Sequence, residues 1–255
     1  MSSTMTQNFR QRLRDLEPLI GTMITLDTPA TAEVLAQLGF DWFFVDGEHG
    51  PLESSELLGI LRAVDQRVPC VVRVPAAEET PIKKVLDLGA AGVIVPMVNT
   101  AEQAADVVKY ARYAPQGSRG VGLARAHGYG LTFGDYVENA NETVAVIVQT
   151  EHIDSVNNIE QIVQVEGIDA IQLGPYDLSA SMGKMGQVDD PEVVQAIDHV
   201  INTCQDAGLA IGWFGETAEA VRPYLDRGCT LMTAGVDTLM LASGGKRILK
   251  VMRDE

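Results

Sequence analysis

PCVVRVPAAEETPIKKVLDLGAAGVIVP, residues 69 to 96, reads as one strand–helix–strand unit. Its ends, 69–75 and 92–96, are short β-branched runs, and Glu78 to Gly89 between them has a helix start, a helical period and a glycine stop. The same rhythm extends in both directions. Upstream are 19–26 (LIGTMITL) and 42–46 (WFFVD), joined by a helix that opens at Thr28 and Pro29 and ends at Gly39. Downstream are a helix from Ala101 to Tyr113 and then 143–149 (TVAVIVQ), 169–174 (DAIQLG), 209–214 (LAIGWF) and 230–236 (TLMTAGV). Strands alternating with helices predict an α/β protein with a parallel sheet and helical crossovers. Eight near-continuous apolar strands favour closure into a (β/α)8 TIM barrel over an open doubly wound sheet.

The 255 residues suit one such domain over 1–255, with residues 1–10 as a loose tail. Hydrophobic residues at 46% and charged residues at 21% allow a large core and argue against wholesale disorder. A net charge of −16 opposes binding to nucleic acid or to an anionic membrane, because both need a phosphate-neutralising surface. It does not exclude an anionic small substrate, since a cation or an arginine can reverse the field inside a pocket. Cys70, Cys204 and Cys229 form no CxxC, and no apolar signal segment or membrane-length run is present, so a reducing cytoplasm is expected.

One interval breaks the rhythm. Residues 97–142 hold a helix, then PQGSRGVGLARAHGYG, then the helix-like FGDYVENAN, and predict an inserted active-site or subunit-contact loop. Simple flexibility of its glycines is the alternative.

Barrel enzymes carry their chemistry at the carboxyl ends of the strands. Asp46, Glu48 and His49 follow strand two, Arg73 ends strand three, Gln149 and Glu151 end strand five, and Asp177 follows strand six. Glu151 and Asp177 fall on neighbouring strand ends, where two bare carboxylates repel and a cation between them removes the repulsion. Two carboxylates, with water and substrate oxygens completing the shell, suit Mg2+ or Mn2+; Zn2+ would recruit more His or Cys. Asp177 could instead cap the helix of PYDLS. Arg73, inside an apolar strand, needs an anion, either a substrate carboxylate or a rim carboxylate in a salt bridge. His49, flanked by acids, suits proton transfer; a metal site made by Asp46, Glu48 and His49 alone is the competing view. His199 reads as solvated, while His127 and His152 fall near the expected rim. The six lysines fall in expected helices or loops, which disfavours a Schiff-base mechanism.

The segments GFDWFFVDGEHGP, VVRVP, KKVLDLGAAGVIVPMVNTAEQA, YAPQGSRGVGLARAHGYG, VIVQTEH and LGPYDLSASMG resemble the HpcH/HpaI family of class II pyruvate aldolases along most of the chain. The resemblance implies a pyruvate/phosphoenolpyruvate-type barrel, metal-dependent and typically hexameric, that cleaves or forms 4-hydroxy-2-oxoacids from an aldehyde and a 2-oxoacid, pyruvate or a close relative such as hydroxypyruvate. By its motifs Glu151 and Asp177 match the metal ligands, for Mg2+ or Mn2+ with Co2+ or Zn2+ as alternatives. Arg73 matches the pyruvate-binding arginine, His49 the acid/base, and Asp87 a carboxylate that partners the histidine, with a subunit boundary as one place for that contact. Gln149 and Gly174, Pro175 and Tyr176 would line the pyruvate pocket, and Arg125 would reach a neighbouring subunit's site. QTEH in place of QIET, Tyr176 before the aspartate, and an aromatic rim from Trp213 and Phe214 are departures that bear on acceptor choice. A CoA-thioester lyase on the same barrel, or a noncatalytic 2-oxoacid-binding barrel, are the rival readings.

Overall fold

The computed structural model describes residues 9–65 and 67–253. Eight parallel strands close into a barrel in sequence order: β1 Leu19–Ile24, β2 Trp42–Asp46, β3 Cys70–Arg73, β4 Gly92–Val95, β5 Ala145–Thr150, β6 Ala170–Leu173, β7 Ala210–Gly215 and β8 Leu231–Val236. The helices are α1 Phe9–Arg14, α2 Pro29–Leu35, α3 Ser54–Val64, α4 Glu79–Asp87, α5 Ala101–Ala111, α6 Phe133–Thr143, α7 Ile153–Asn157 and α8 Ile159–Ile162. They continue with α9 Pro175–Ser181, α10 Pro191–Asp206, α11 Ala218–Asp226 and α12 Asp237–Arg253. All eight expected strands are present, each shifted by at most two residues at its amino end. Among the described residues no helix is long and apolar enough to cross a membrane.

Alternation along each strand divides the apolar residues into two cores. One set, including Phe43, Val72, Val93, Val148, Ile171 and Trp213, lies between sheet and helices. The other fills the lumen. Strand pairing and inward parity arrange the lumen in tiers drawn from alternate strands. Gly21, Val71, Ile147 and Gly212 form one tier; Phe44, Ile94, Gln172 and Thr233 lie above it; Met23, Arg73, Gln149 and Phe214 lie above those. The uppermost of these tiers contains the candidate site.

The amino end of the barrel is plugged by α1, whose Phe9 and Leu13 join the lumen core. This corrects the expected loose tail, since Phe9 and Arg10 are helical and buried; residues 1–8 of that tail lie outside the described residues. For the inserted interval, the active-site reading is corrected within the chain itself. Between α5 and α6 the chain forms a short helical turn, Arg125–Gly130, and packs at the amino end, opposite the rim: Arg125 donates to Leu88 O at 3.0 Å and Leu61 O at 3.2 Å, at the ends of α4 and α3. Helices antiparallel to the strands deliver their last residues to that end, so a loop attached there cannot reach its own rim.

Candidate active site at the carboxyl end of the barrel

Strand parity decides which side chains reach the site. Arg73 shares the lumen face with Val71, Gln149 with Ile147, and Phe214 with Ala210. Trp213, one residue out of phase, turns under the helices and stacks on Tyr224 with ring centroids 3.3 Å apart. The expected aromatic pair is therefore Phe214 alone.

β2 and β3 are in register at Asp46 and Arg73. Nε and Nη2 of Arg73 donate to Oδ1 and Oδ2 of Asp46 at 2.9 and 2.8 Å. Burial pushes the Asp46 carboxyl up, but Arg73 and the N–H groups of His49 and Glu48 outweigh it and hold it below the ordinary carboxylate range. The rim salt bridge, one of the two readings open for Arg73, is thus formed. It leaves Nη1 of Arg73 without a hydrogen bond among the described residues. The ring of Phe44, one tier down, lies 5.2 Å from the guanidinium carbon and supports it by a cation–π contact.

Glu151 stands one step past β5 and is buried. The Met97 N–H donates to its Oε1 at 2.8 Å, and Gln149 Nε2 donates to Oε2. Met97 holds this position at φ +54, a left-handed conformation that is costly for a methionine and marks a constrained turn. Gly174 is needed here for close approach, since a Cβ would lie 2.8 Å from Glu151 Cβ. Asp177 sits exposed in the first turn of α9, behind Pro175 and the exposed Tyr176, and that helix has no side-chain cap bond at its start. The capping alternative for Asp177 is therefore not realised. Burial pushes the Glu151 carboxyl up, the Met97 N–H opposes this, and the charges of Glu48 and Asp177 add to it.

A cation fits this donor set. Two mutually repelling carboxylates, buried Glu151 and exposed Asp177, lie close beside Gln149, whose Oε1 is buried without a hydrogen-bond partner among the described residues. All the donors are oxygens, which suits Mg2+ or Mn2+ better than a nitrogen- or sulfur-seeking metal. Among the described residues no group of three or more His, Cys, Asp and Glu side chains is gathered to hold an ion, so Asp46, Glu48 and His49 do not form a separate metal site.

His49 is at the rim with its side chain 72% exposed, 3.8 Å from a Glu48 oxygen. Asp87 is not near it within the chain. As the last residue of α4 it lies at the amino end, where Arg119 Nη2 donates to it at 2.8 Å. Arg125 shares that end, beside a cavity of about 470 Å³ lined by Asp65, Asp135, Tyr136 and Asn139. His127 is corrected likewise: it is buried at the amino end, with Nε2 2.9 Å from the Tyr113 hydroxyl. His152 caps α7, its Nδ1 accepting the Asp154 N–H at 3.1 Å, and His199 lies 3.1 Å from Glu160 on the surface. No strand carries a lysine, so none is aimed into the lumen from one.

Sequence reasoning placed Glu48 at the rim but not between Arg73 and His49, and it passed over three groups: the Met97 N–H, and Gln172 and Thr233 in the tier below. Counting strand parity back from Gly174 and Gly235 would have placed Gln172 and Thr233 in the lumen. Nothing local marks Met97, whose role depends on its backbone turn.

Fold and rim together define a (β/α)8-barrel enzyme with its polar groups at the carboxyl ends of β2, β3, β5 and β6. The sequence profile of the HpcH/HpaI aldolase/citrate lyase family matches residues 20–243, and the chain belongs to that family. It is accordingly a carbon–carbon lyase. It is 40% identical over 250 residues to the hydroxypyruvate/pyruvate aldolase of Cupriavidus necator, covering 97% of this chain and 93% of that one. It is also 40% identical to the 4-hydroxy-2-oxovalerate aldolase of Rhodococcus jostii, covering 92% of each. Among solved structures, a family protein from Burkholderia cenocepacia superposes with a TM-score of 0.93 at 37% identity over 97% of this chain and 99% of that one.

Proposed function

We propose that the protein catalyses reversible aldol cleavage and formation of 4-hydroxy-2-oxoacids, joining an aldehyde to pyruvate or to a close 2-oxoacid such as hydroxypyruvate. The observation that carries this is the convergence of Arg73, Gln149 and buried Glu151, with Asp177 close by, at one end of the lumen. The printed activities of the relatives from Cupriavidus and Rhodococcus support it.

Glu151 and Asp177 would hold Mg2+ or Mn2+, with Co2+ or Zn2+ as weaker fits to an all-oxygen set. Such a cation, when bound, supplies Lewis acidity toward the 2-oxoacid. Nη1 of Arg73, unused by Asp46, donates to the substrate and stabilises the negative charge that grows as a methyl proton leaves. His49 moves protons, directly or through water, and in the cleavage direction takes the proton of the C4 hydroxyl. Gln149 and the backbone of Gly174 to Tyr176 line the pocket, and Phe214 gives it an apolar wall.

Incubation with pyruvate in D2O tests this: methyl protons should exchange with Mg2+ or Mn2+ present and stop exchanging with chelator. Absence of exchange under every metal would favour the noncatalytic 2-oxoacid-binding reading. The CoA-thioester lyase reading calls for spare cationic groups at the rim, and Arg73 there is already matched by Asp46 and approached by Glu48. Glu151→Gln and Asp177→Asn should each weaken Mn2+ affinity on the order of 100-fold by titration calorimetry. Because the Glu151 carboxyl is held above its ordinary range, protons compete with the cation there, and wild-type affinity should fall as pH drops through that range. Unchanged affinity in both variants would move the cation elsewhere.

The proposal extends to assembly and setting. All eight strands serve one barrel, and we read the chain as a single domain. Of α12 only Asp237 is buried, while Leu241, Ile248, Val251 and Met252 are exposed on a helix that leaves β8 directly. An apolar groove of about 390 Å³ lies open between α11 and strands β8 and β1, lined by Ile20, Val221, Leu225 and Met232. Apolar faces of this kind support a homo-oligomer, a hexamer by family resemblance, in which Asp87 and Arg125 are available only to a neighbouring copy's rim. Ile248→Glu combined with Met252→Lys should lower the mass measured by light scattering; an unchanged mass would sink this role for α12. The three cysteines are free and buried, which suits a reducing compartment such as the cytoplasm.

A further inference from the structure

The geometry points to Glu48 as a positioning residue that sets His49 and Arg73 for proton transfer at the rim, a role that rests on the aldolase reading above. The turn that carries it is fixed to two strand ends. The N–H groups of Glu48 and His49 both donate to Asp46 Oδ1, at 3.1 and 3.3 Å, and the Gly47 N–H donates to Arg73 O at 3.0 Å. A Cβ at Gly47 would lie 2.7 Å from that same Arg73 oxygen, so only glycine brings the turn this close. From this turn Glu48 points inward with its side chain 20% exposed. A single oxygen, Oε2, is 3.2 Å from Arg73 Nε and 3.8 Å from His49 Nε2.

Stability alone does not account for this carboxylate. Arg73 is already matched by the two oxygens of Asp46. Glu48 meets burial, opposed by Arg73 and His49, together with repulsion from Asp46 and Asp177, and the balance leaves its carboxyl above the ordinary range. Charges held against such opposition concentrate at functional sites. Glu48 is also the carboxylate that His49 meets within its own chain, since Asp87 lies at the other end of the barrel on Arg119. One oxygen shared by the imidazole and the guanidinium links the proton-moving group to the group that receives the developing charge.

The test is metal-dependent methyl exchange of pyruvate, read as kcat and KM, in wild type, Glu48→Gln, Glu48→Asp, His49→Ala and the Glu48→Gln/His49→Ala pair. Glu48→Gln should lower kcat at least about tenfold while leaving KM within about threefold, a fraction of what a positioned acid/base contributes. Glu48→Asp should restore part of the lost kcat, and Glu48→Gln should cost nothing further once His49 is alanine. Wild-type kcat in Glu48→Gln, no rescue of a lowered kcat by Glu48→Asp, or full additivity with His49→Ala would overturn the positioning role alone. No exchange in the wild type would overturn the aldolase reading and this role with it.

Discussion

Arg73→Ala should reduce kcat/KM for pyruvate methyl exchange by roughly 100- to 1000-fold, the loss of about 2.7 to 4 kcal/mol seen when a donor to a developing oxyanion is removed. The expectation is this large because the guanidinium is buried in the lumen, flanked by Asp46 and backed by Phe44, so water cannot replace it cheaply. Alanine also leaves the buried Asp46 carboxylate unpaired, so part of any loss could come from a disturbed rim. Arg73→Lys separates the two effects. It keeps a charge for Asp46 but cannot bridge both Asp46 oxygens and still present a free donor from a rigid fork. It should therefore fold like the wild type and remain at least tenfold impaired. Exchange within threefold of wild type in Arg73→Ala would remove Arg73 from the chemistry and leave it a structural partner of Asp46.

Asp169→Ala should destabilise the protein by about 3 to 5 kcal/mol in urea denaturation, the usual consequence of removing one member of a buried ionic cluster. The Asp169 side chain is fully buried at the amino end of β6. It accepts from Arg10 Nε at 2.8 and 2.9 Å, Arg14 Nε at 3.2 Å, Arg112 Nη2 at 3.4 Å and the Val146 N–H at 2.9 Å. Burial, then repulsion from Arg10, already pushes Arg112 down to about 10, with Asp169 acting against this. Without Asp169, two buried guanidiniums and a third beside them lose their common counter-charge, and α1 loses its anchor to the barrel floor. A change below about 1 kcal/mol would mean that water or another acid takes over the cluster. The rim is at the opposite end, so residual activity at low temperature should stay near that of the wild type.

Much of this was legible in the chain itself. A strand such as PCVVRVP carries its own β-branched pattern, and eight of them separated by helix starts and stops leave few topologies open. Arg73 stood out because a guanidinium in an apolar run has to be explained, and Glu151 and Asp177 because they follow adjacent strands. These are local signals, set by propensity, burial and spacing, and they survive without coordinates. Trp213 and Phe214 mark the limit: both looked like rim aromatics until strand parity turned the first outward.

What only the tertiary structure decided depended on which end of the barrel a segment meets. His127 read as a neighbour of the rim, and Asp87 as a partner of His49 within the chain or across a subunit boundary; helices antiparallel to the strands carry both, with Arg125, to the opposite end of their own barrel. Phe9 and Arg10 read as tail, yet the open floor of the lumen and the buried Asp169 give them partners more than 100 residues away. The pairing of Arg73 with Asp46, and the place of Glu48 between Arg73 and His49, likewise follow from strand register. Register and closure join residues remote in sequence, so the composition of a strand can show that a barrel forms, while its three-dimensional closure decides which charges meet.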